Sequence, residues 1–189
     1  MSEIKKISEF YKSLNLKDKV LSQSQKNFLN EEGYLIIPPT NFIKNNLERM
    51  IKICDELIKK EGNRGGWEGK EKNKRYLTGE PFEPGAERLG NLVEKNKIFR
   101  DLLLVPEVIA SAKEVIKSDI KLSHYGFRNP LKGHGHQQYH IDVVPRKKIS
   151  DPYEGIICTI FLDDANKQNG VTRLIPKSHK KIGWPDDHI

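Results

Sequence analysis

The sequence predicts an α+β fold, with helices first and antiparallel strands after them, the helices packed on one side of a β-sandwich or jelly roll. Three observations predict it. Apolar residues recur at every third or fourth position through much of residues 1–118, which is the period of an amphipathic helix. From Asp119 onward the pattern changes to short apolar, β-branched runs separated by Gly-, Pro- and Asn-rich stretches, as in strands and their connections. The length, 189 residues, is that of a single domain.

In chain order, Ile4, Ile7, Phe10 and Leu14 predict a short amphipathic helix. A second helix is expected from Ser22 to Glu32, with Gly33 as its C-terminal stop. Tyr34 to Ile37 reads as a short strand ended by Pro38-Pro39. Asn41 is the expected cap of a long helix that buries Ile43, Leu47, Met50, Ile51, Cys54, Leu57 and Ile58 and ends at Gly62. Gly62 to Gly90, with Gly65-Gly66-Trp67, Pro81 and Pro84, reads as a long irregular loop. Leu92 to Leu104 and Pro106 to Ile116 read as two helices, with Pro106 favourable in a first turn.

The strand region opens with Ile120 to Arg128. Pro130 to Gln138 is a Gly- and His-rich loop, Tyr139 to Val144 a strand, and Pro145 to Glu154 another loop. Gly155 to Leu162 is apolar and β-branched, as a central strand would be. Asn166-Lys167-Gln168-Asn169-Gly170 is a turn because Asn-Gly tolerates positive φ, and Val171 to Ile175 returns as its hairpin partner.

Composition narrows the class of protein. The hydrophobic fraction is 36% and the mean hydropathy −0.66, and no apolar run is long enough to cross a bilayer. The charged start Met-Ser-Glu-Ile-Lys-Lys lacks the apolar region of a secretory signal. A soluble, cytoplasmic protein without a membrane partner is expected. Cys54 and Cys158 are then expected to be buried free thiols rather than a disulfide. The net charge is +7, but lysines are scattered along the chain and Lys70 to Arg75 also holds Glu71. Nucleic-acid binders gather basic residues on one surface with aromatics between them. A solvated lysine-rich surface fits this pattern, with no nucleic acid as partner. An anionic substrate would suit the same charge.

The chemistry centres on His140-Ile141-Asp142. In a strand, residues two apart project from one face, so an imidazole nitrogen and a carboxylate oxygen stand side by side. Such a pair supplies two corners of a two-His-one-carboxylate iron site, which needs one distant His and leaves other positions open. A His-x-Asp triplet alone is weak, since most are ordinary polar contacts. Its setting adds weight. It lies between a Gly-rich loop and an apolar strand that ends in Leu162-Asp163-Asp164, followed by the Asn-Gly turn.

Taken together, the motifs Phe28-Leu29-Asn30-Glu31-Glu32-Gly33-Tyr34-Leu35-Ile36-Ile37, Gly135-His136-Gln137-Gln138-Tyr139-His140-Ile141-Asp142 and Phe161-Leu162-Asp163-Asp164 through Asn169-Gly170-Val171-Thr172-Arg173-Leu174-Ile175-Pro176-Lys177-Ser178-His179 resemble the phytanoyl-CoA dioxygenase family of non-haem Fe(II), 2-oxoglutarate-dependent oxygenases. The resemblance runs from about Gln25 to the C-terminus. It departs at Lys177, where the family usually has Gly. It implies a double-stranded β-helix (jelly roll), incomplete in this chain, with residues 119–189 as its first strands and 1–189 as one C-terminally truncated domain.

The resemblance also implies the chemistry. His140 and Asp142 would be iron ligands, 2-oxoglutarate the cosubstrate, and O2 and a small metabolite or acyl derivative the substrates. Decarboxylation of 2-oxoglutarate to succinate would accompany hydroxylation of a C–H bond. Halogenating relatives replace the Asp with a small residue, so Asp142 favours hydroxylation. The second iron-binding His and the Arg for the distal carboxylate of 2-oxoglutarate would lie beyond Ile189, the latter a task for a planar guanidinium fork. His179 is expected to cap or pack its turn, and His188 lies at the frayed end.

Thr159 falls where the family lines the cosubstrate pocket, although a β-branched strand residue needs no such role. His124 could face the same pocket or make a half-buried polar contact. Gln138 could hydrogen-bond a carboxylate or be a loop amide. Arg173 is read as a strand partner or a contact for an anionic substrate, and Arg64 and Trp67 as a cover for substrate. Two other readings compete. One is a cupin-like site on His134, His136 and His140, which lacks the expected nearby Glu. The other is a binding domain with the fold but no working site. Neither the substrate nor the oligomeric state is set by these residues.

Overall fold

The structure, a computed structural model, describes residues 9, 12, 20–62, 64–65, 86–133, 137 and 139–184. The N-terminal helix expected around Ile4 to Leu14 lies outside them, as do Trp67, Pro81, Pro84, His134, His136, Gln138, His188 and the side chain of Arg64.

Helix α1 spans Gln23–Glu32. Ser22 Oγ accepts from the Gln25 backbone N–H at 3.2 Å, and Gln25 Oε1 accepts from the Ser22 N–H at 2.9 Å. This reciprocal capping box satisfies two amides that a helix start otherwise leaves open. Gly33 ends α1 at φ 83°, and its N–H donates to Leu29 O at 2.9 Å. No strand forms over Tyr34 to Ile37. Among the described residues no strand pairs with it, and Tyr34 meets Phe28 edge-on with ring centroids 5.4 Å apart.

Helix α2 spans Asn41–Glu61. Its cap is Thr40, not Asn41: Thr40 has the extended φ and ψ a cap requires, and its Oγ1 accepts from the Ile43 N–H at 3.4 Å. Met50 and Cys54 are fully buried, and the rest of the expected stripe is half-buried. Burial lifts the Cys54 thiol to about 12, with a smaller push from Asp55.

The segment expected to be an irregular loop contributes two short strands, β1 (Arg64–Gly65) and β2 (Ala86–Leu89). With β3 (Phe127–Pro130) they form a sheet in the order β1-β2-β3. β1 runs parallel to β2, and β2 antiparallel to β3 with Leu89 opposite Phe127 and Glu87 opposite Asn129. Asn129 Nδ2 donates to Glu87 Oε2 at 2.8 Å across that pair.

The single helix expected from Leu92 to Leu104 is two, α3 (Leu92–Lys95) and α4 (Lys97–Leu103). Asn96 breaks it. Its backbone is extended, and its Oδ1 accepts from the Ile98 N–H at 3.0 Å, the local bond by which Asn competes with helix continuation. Helix α5 spans Pro106–Ile116 with Pro106 in its first turn, as predicted. Asn30 Nδ2 donates to Glu114 Oε1 at 2.9 Å, tying α1 to α5.

The core lies between α2, the sheet and the α3–α4 pair. Met50, Cys54, Leu89, Leu92, Ile98, Phe99, Leu102 and Val105 form it, with Tyr125, Phe127, Ile160 and Leu162 packed at its border. Tyr125 meets Phe99 edge-on at 6.3 Å, and burial raises its phenol above the usual range. Helices and a small sheet make the chain α+β, as predicted.

The strand count differs from expectation. Among the described residues, Tyr139 to Val144, Gly155 to Leu162, Val171 to Ile175 and all but the last two residues of Ile120 to Arg128 join no ladder. β-Propensity describes fit to a pleated, half-buried surface and is realised only against a neighbour. These segments have no strand partner among the described residues, so the first jelly-roll strands are not seen there. Ile160 and Leu162 still reach the core, whereas Ile157, Phe161, Leu174 and Ile175 are exposed. Cys158, expected to be buried, is exposed as well, although the chain around it raises its thiol. Among the described residues no helix is long and apolar enough to cross a membrane.

Candidate metal centre

His140 Nε2 lies 3.6 Å from Asp142 Oδ1. The two side chains are 43% and 54% exposed, so both present donor atoms to solvent. Two ligands each ~2.1 Å from one ion at right angles are about 3 Å apart. The observed spacing is somewhat wider than that. A neutral imidazole and a carboxylate are also the donor types that suit ferrous iron, here two of the three protein ligands such a site takes. Among the described residues no group of three His, Cys, Asp or Glu gathers around one point.

The segment that carries the pair is held from outside. Arg173 Nη2 donates to Gln137 O at 3.3 Å, and its guanidinium carbon sits 4.8 Å from the centre of the Tyr139 ring. The following loop is held by Arg146. That side chain donates to Ile149 O at 2.7 Å and to His179 O at 2.8 Å, and lies 4.2 Å from the centre of the Tyr153 ring. Asp151 closes the loop by accepting from the Lys147 and Lys148 N–H groups at 3.1 and 2.8 Å. The sequence reading left Arg173 between two roles and did not single out Arg146. The hydrogen bonds of Arg173 to Gln137 O and of Arg146 to His179 O span 36 and 33 residues, and no local spacing rule reaches that far.

The Asn-Gly turn forms as predicted, with Gly170 at φ 85° and Asn169 Oδ1 accepting from the Asn166 N–H at 2.7 Å. The Pro-Lys-Ser-His turn then docks on the end of α1. The Lys177 N–H donates to Glu32 O at 2.8 Å. Lys177 Nζ lies 3.5 Å from Glu31 and 3.4 Å from Glu32, and Lys180 Nζ lies 2.5 Å from Glu31. The hydrogen bond and charge of Lys180 hold the Glu31 carboxyl below its ordinary value, with Lys177 adding to it, and Glu32 foremost raises Lys177. His179 Nε2 lies 3.0 Å from Asn30 O. A carbonyl only accepts, so Nε2 carries the proton there. Nδ1 is buried with no hydrogen-bond partner among the described residues, and the ring tilts against Tyr153 at 5.7 Å. His179 therefore packs the turn on α1, the role expected of it.

The other candidates stand as follows. The His124 side chain is exposed and folds back over Gly126, with Nε2 2.8 Å from where a Cβ on that glycine would sit. Thr159 is exposed and belongs to no strand. Gln138 lies outside the described residues. The geometry brings His140 and Asp142 together, and brings Arg173 to Tyr139 beside them.

An α+β chain that shows an imidazole and a carboxylate side by side on its surface belongs, by site, among candidate metalloproteins. The chain is a member of the phytanoyl-CoA dioxygenase family, whose model matches residues 29–188. Members of that family are in general Fe(II)- and 2-oxoglutarate-dependent oxygenases. No curated protein and no solved structure matches the chain.

Proposed function

We propose that this protein is an Fe(II)- and 2-oxoglutarate-dependent dioxygenase that hydroxylates a small metabolite or acyl derivative. The observation that carries the reading is the 3.6 Å approach of His140 Nε2 to Asp142 Oδ1 in a member of this family. His140 and Asp142 would hold the metal. The metal, when bound, couples decarboxylation of 2-oxoglutarate to succinate with O2-dependent hydroxylation of substrate.

The chain's own residues bind and orient. Thr159, His124 and Gln138 are proposed to line the cosubstrate pocket, within a single domain of jelly-roll type. Among the described residues no third His, Cys, Asp or Glu gathers with the pair; the family resemblance implies a further His for the metal and an Arg for the distal carboxylate of 2-oxoglutarate. The lysine-rich surface, at net charge +7, favours anionic cosubstrate and substrate by long-range attraction.

The test is release of labelled CO2 from 1-[14C]-2-oxoglutarate by the full protein with Fe(II). Loss of an outer-shell partner alone costs 10–100-fold in metal sites. His140→Ala and Asp142→Ala are therefore expected to lower turnover by ~100-fold or more. Equal CO2 release by wild type and Asp142→Ala ends the proposal.

A further inference from the structure

We infer that Arg173 is a positioning residue for the metal pair, acting through Tyr139 and the main chain at Gln137. The inference rests on the proposed reading of His140 and Asp142 as metal ligands.

Three observations carry it. First, the segment from Tyr139 to Asp142 joins no strand ladder among the described residues. Side-chain contacts to it from elsewhere in the chain therefore bear on its conformation. Second, Arg173 makes two contacts of different kinds at the start of that stretch, a guanidinium over the Tyr139 ring at 4.8 Å and a hydrogen bond to Gln137 O, two residues before it, at 3.3 Å. A planar cation both stacks on an aromatic face and donates in its own plane, which an ammonium does not do equally well. Tyr139 directly precedes His140, so fixing its ring restricts the backbone that aims the imidazole.

Third, Arg173 is itself on a fixed base. Four residues on, Lys177 is hydrogen-bonded to the end of α1, and His179 is seated on the same end. The arrangement is a chain of supports from α1, through the Lys177–His179 turn, to Arg173, to Tyr139, and so to the His140–Asp142 pair. It gives the Asn-Gly-to-Ser-His segment a purpose beyond making a turn: it braces a pair of donors some 30 residues earlier in sequence.

The test is Co(II) titration of the metal-free full protein, followed by the visible absorption of bound Co(II). Arg173→Ala and Tyr139→Leu are each expected to weaken Co(II) binding about tenfold, as loss of an outer-shell support does. The double variant is expected to be no weaker than the worse single one, because both remove the same contact. Arg173→Lys should recover part of the affinity and Tyr139→Phe all of it, since the ring remains. These outcomes, with unchanged urea midpoints, establish positioning as distinct from general stability. Wild-type affinity in Arg173→Ala overturns the inference while leaving the metal reading intact. So does a Tyr139→Phe defect equal to that of Tyr139→Leu. Wild type and His140→Ala that both fail to bind Co(II) overturn the metal reading, and the role of Arg173 with it.

Discussion

Gly33 sits where no other residue fits without rearrangement. Its φ is 83°, a left-handed conformation, and a Cβ built on it would stand 2.2 Å from His179 Nδ1. The conformation alone costs an L-residue roughly 1–2 kcal/mol, and the His179 ring would have to leave its seat. Gly33→Ala is expected to lower stability by about 2 kcal/mol in urea denaturation, and an unchanged midpoint would refute this account of the turn. The sequence already pointed to Gly33 as a helix stop, because a glycine after a helical period is a local signal. What it could not convey is the ring lying over it from residue 179. The same division holds at the candidate site. His140 and Asp142 do lie close, as two residues of separation allow, but the strand expected to align them is not formed among the described residues, and the guanidinium of Arg173 on Tyr139 depends on how distant segments fold together.

At the scale of elements, helices were read well where stops and first-turn signals are local, as at Gly33, Gly62 and Pro106, whereas the cap of α2 is Thr40 and not the expected Asn41. The reading of one helix from Leu92 to Leu104 missed the break because Asn96 is tolerated inside a helix and as a cap alike. Strands were read less well because Gly155 to Leu162 and Val171 to Ile175 have the residue types but no paired neighbour among the described residues. The α1–turn contact is electrostatic at its rim, and its pH dependence follows from the directions of two shifts. Glu31 is held below its ordinary 4.5, so its stabilising contribution is full above that value and is lost as pH falls through the lowered one. Lys177 is raised above 10.5, so its contribution is full below that value and is lost as pH rises through the raised one. The contact is strongest between 4.5 and 10.5. The stability difference between wild type and Glu31→Gln should accordingly narrow below pH 4.5 and at high salt. A difference that is constant from pH 7 to pH 3 would show that these charges contribute nothing.

For the whole molecule, stability rests on the core between α2, the sheet and α4, with the later segments packed against its border by a few side chains such as Ile160 and Leu162. Met50 is completely inaccessible, and truncating it leaves a cavity. Met50→Ala is expected to cost about 3 kcal/mol, within the range for buried Met, Leu and Ile. It should leave the spacing of His140 and Asp142 unaffected, so Co(II) affinity in the folded state should persist. A loss below 1 kcal/mol would place the core elsewhere. The overall α+β class was legible from the change of period near Asp119, since hydrophobic periodicity averages over many residues. The docking of α1 against the Lys177–Lys180 turn was not, and it matters for biogenesis. Asn30 and His179 meet across 149 positions, so α1 leaves the ribosome long before its seat exists. At ordinary translation speeds of about 5–20 residues per second, that gap is roughly 7–30 s. The proposed brace on His140 and Asp142 is completed only when the last part of the described chain arrives, and until then a nascent polypeptide carries both side chains without it.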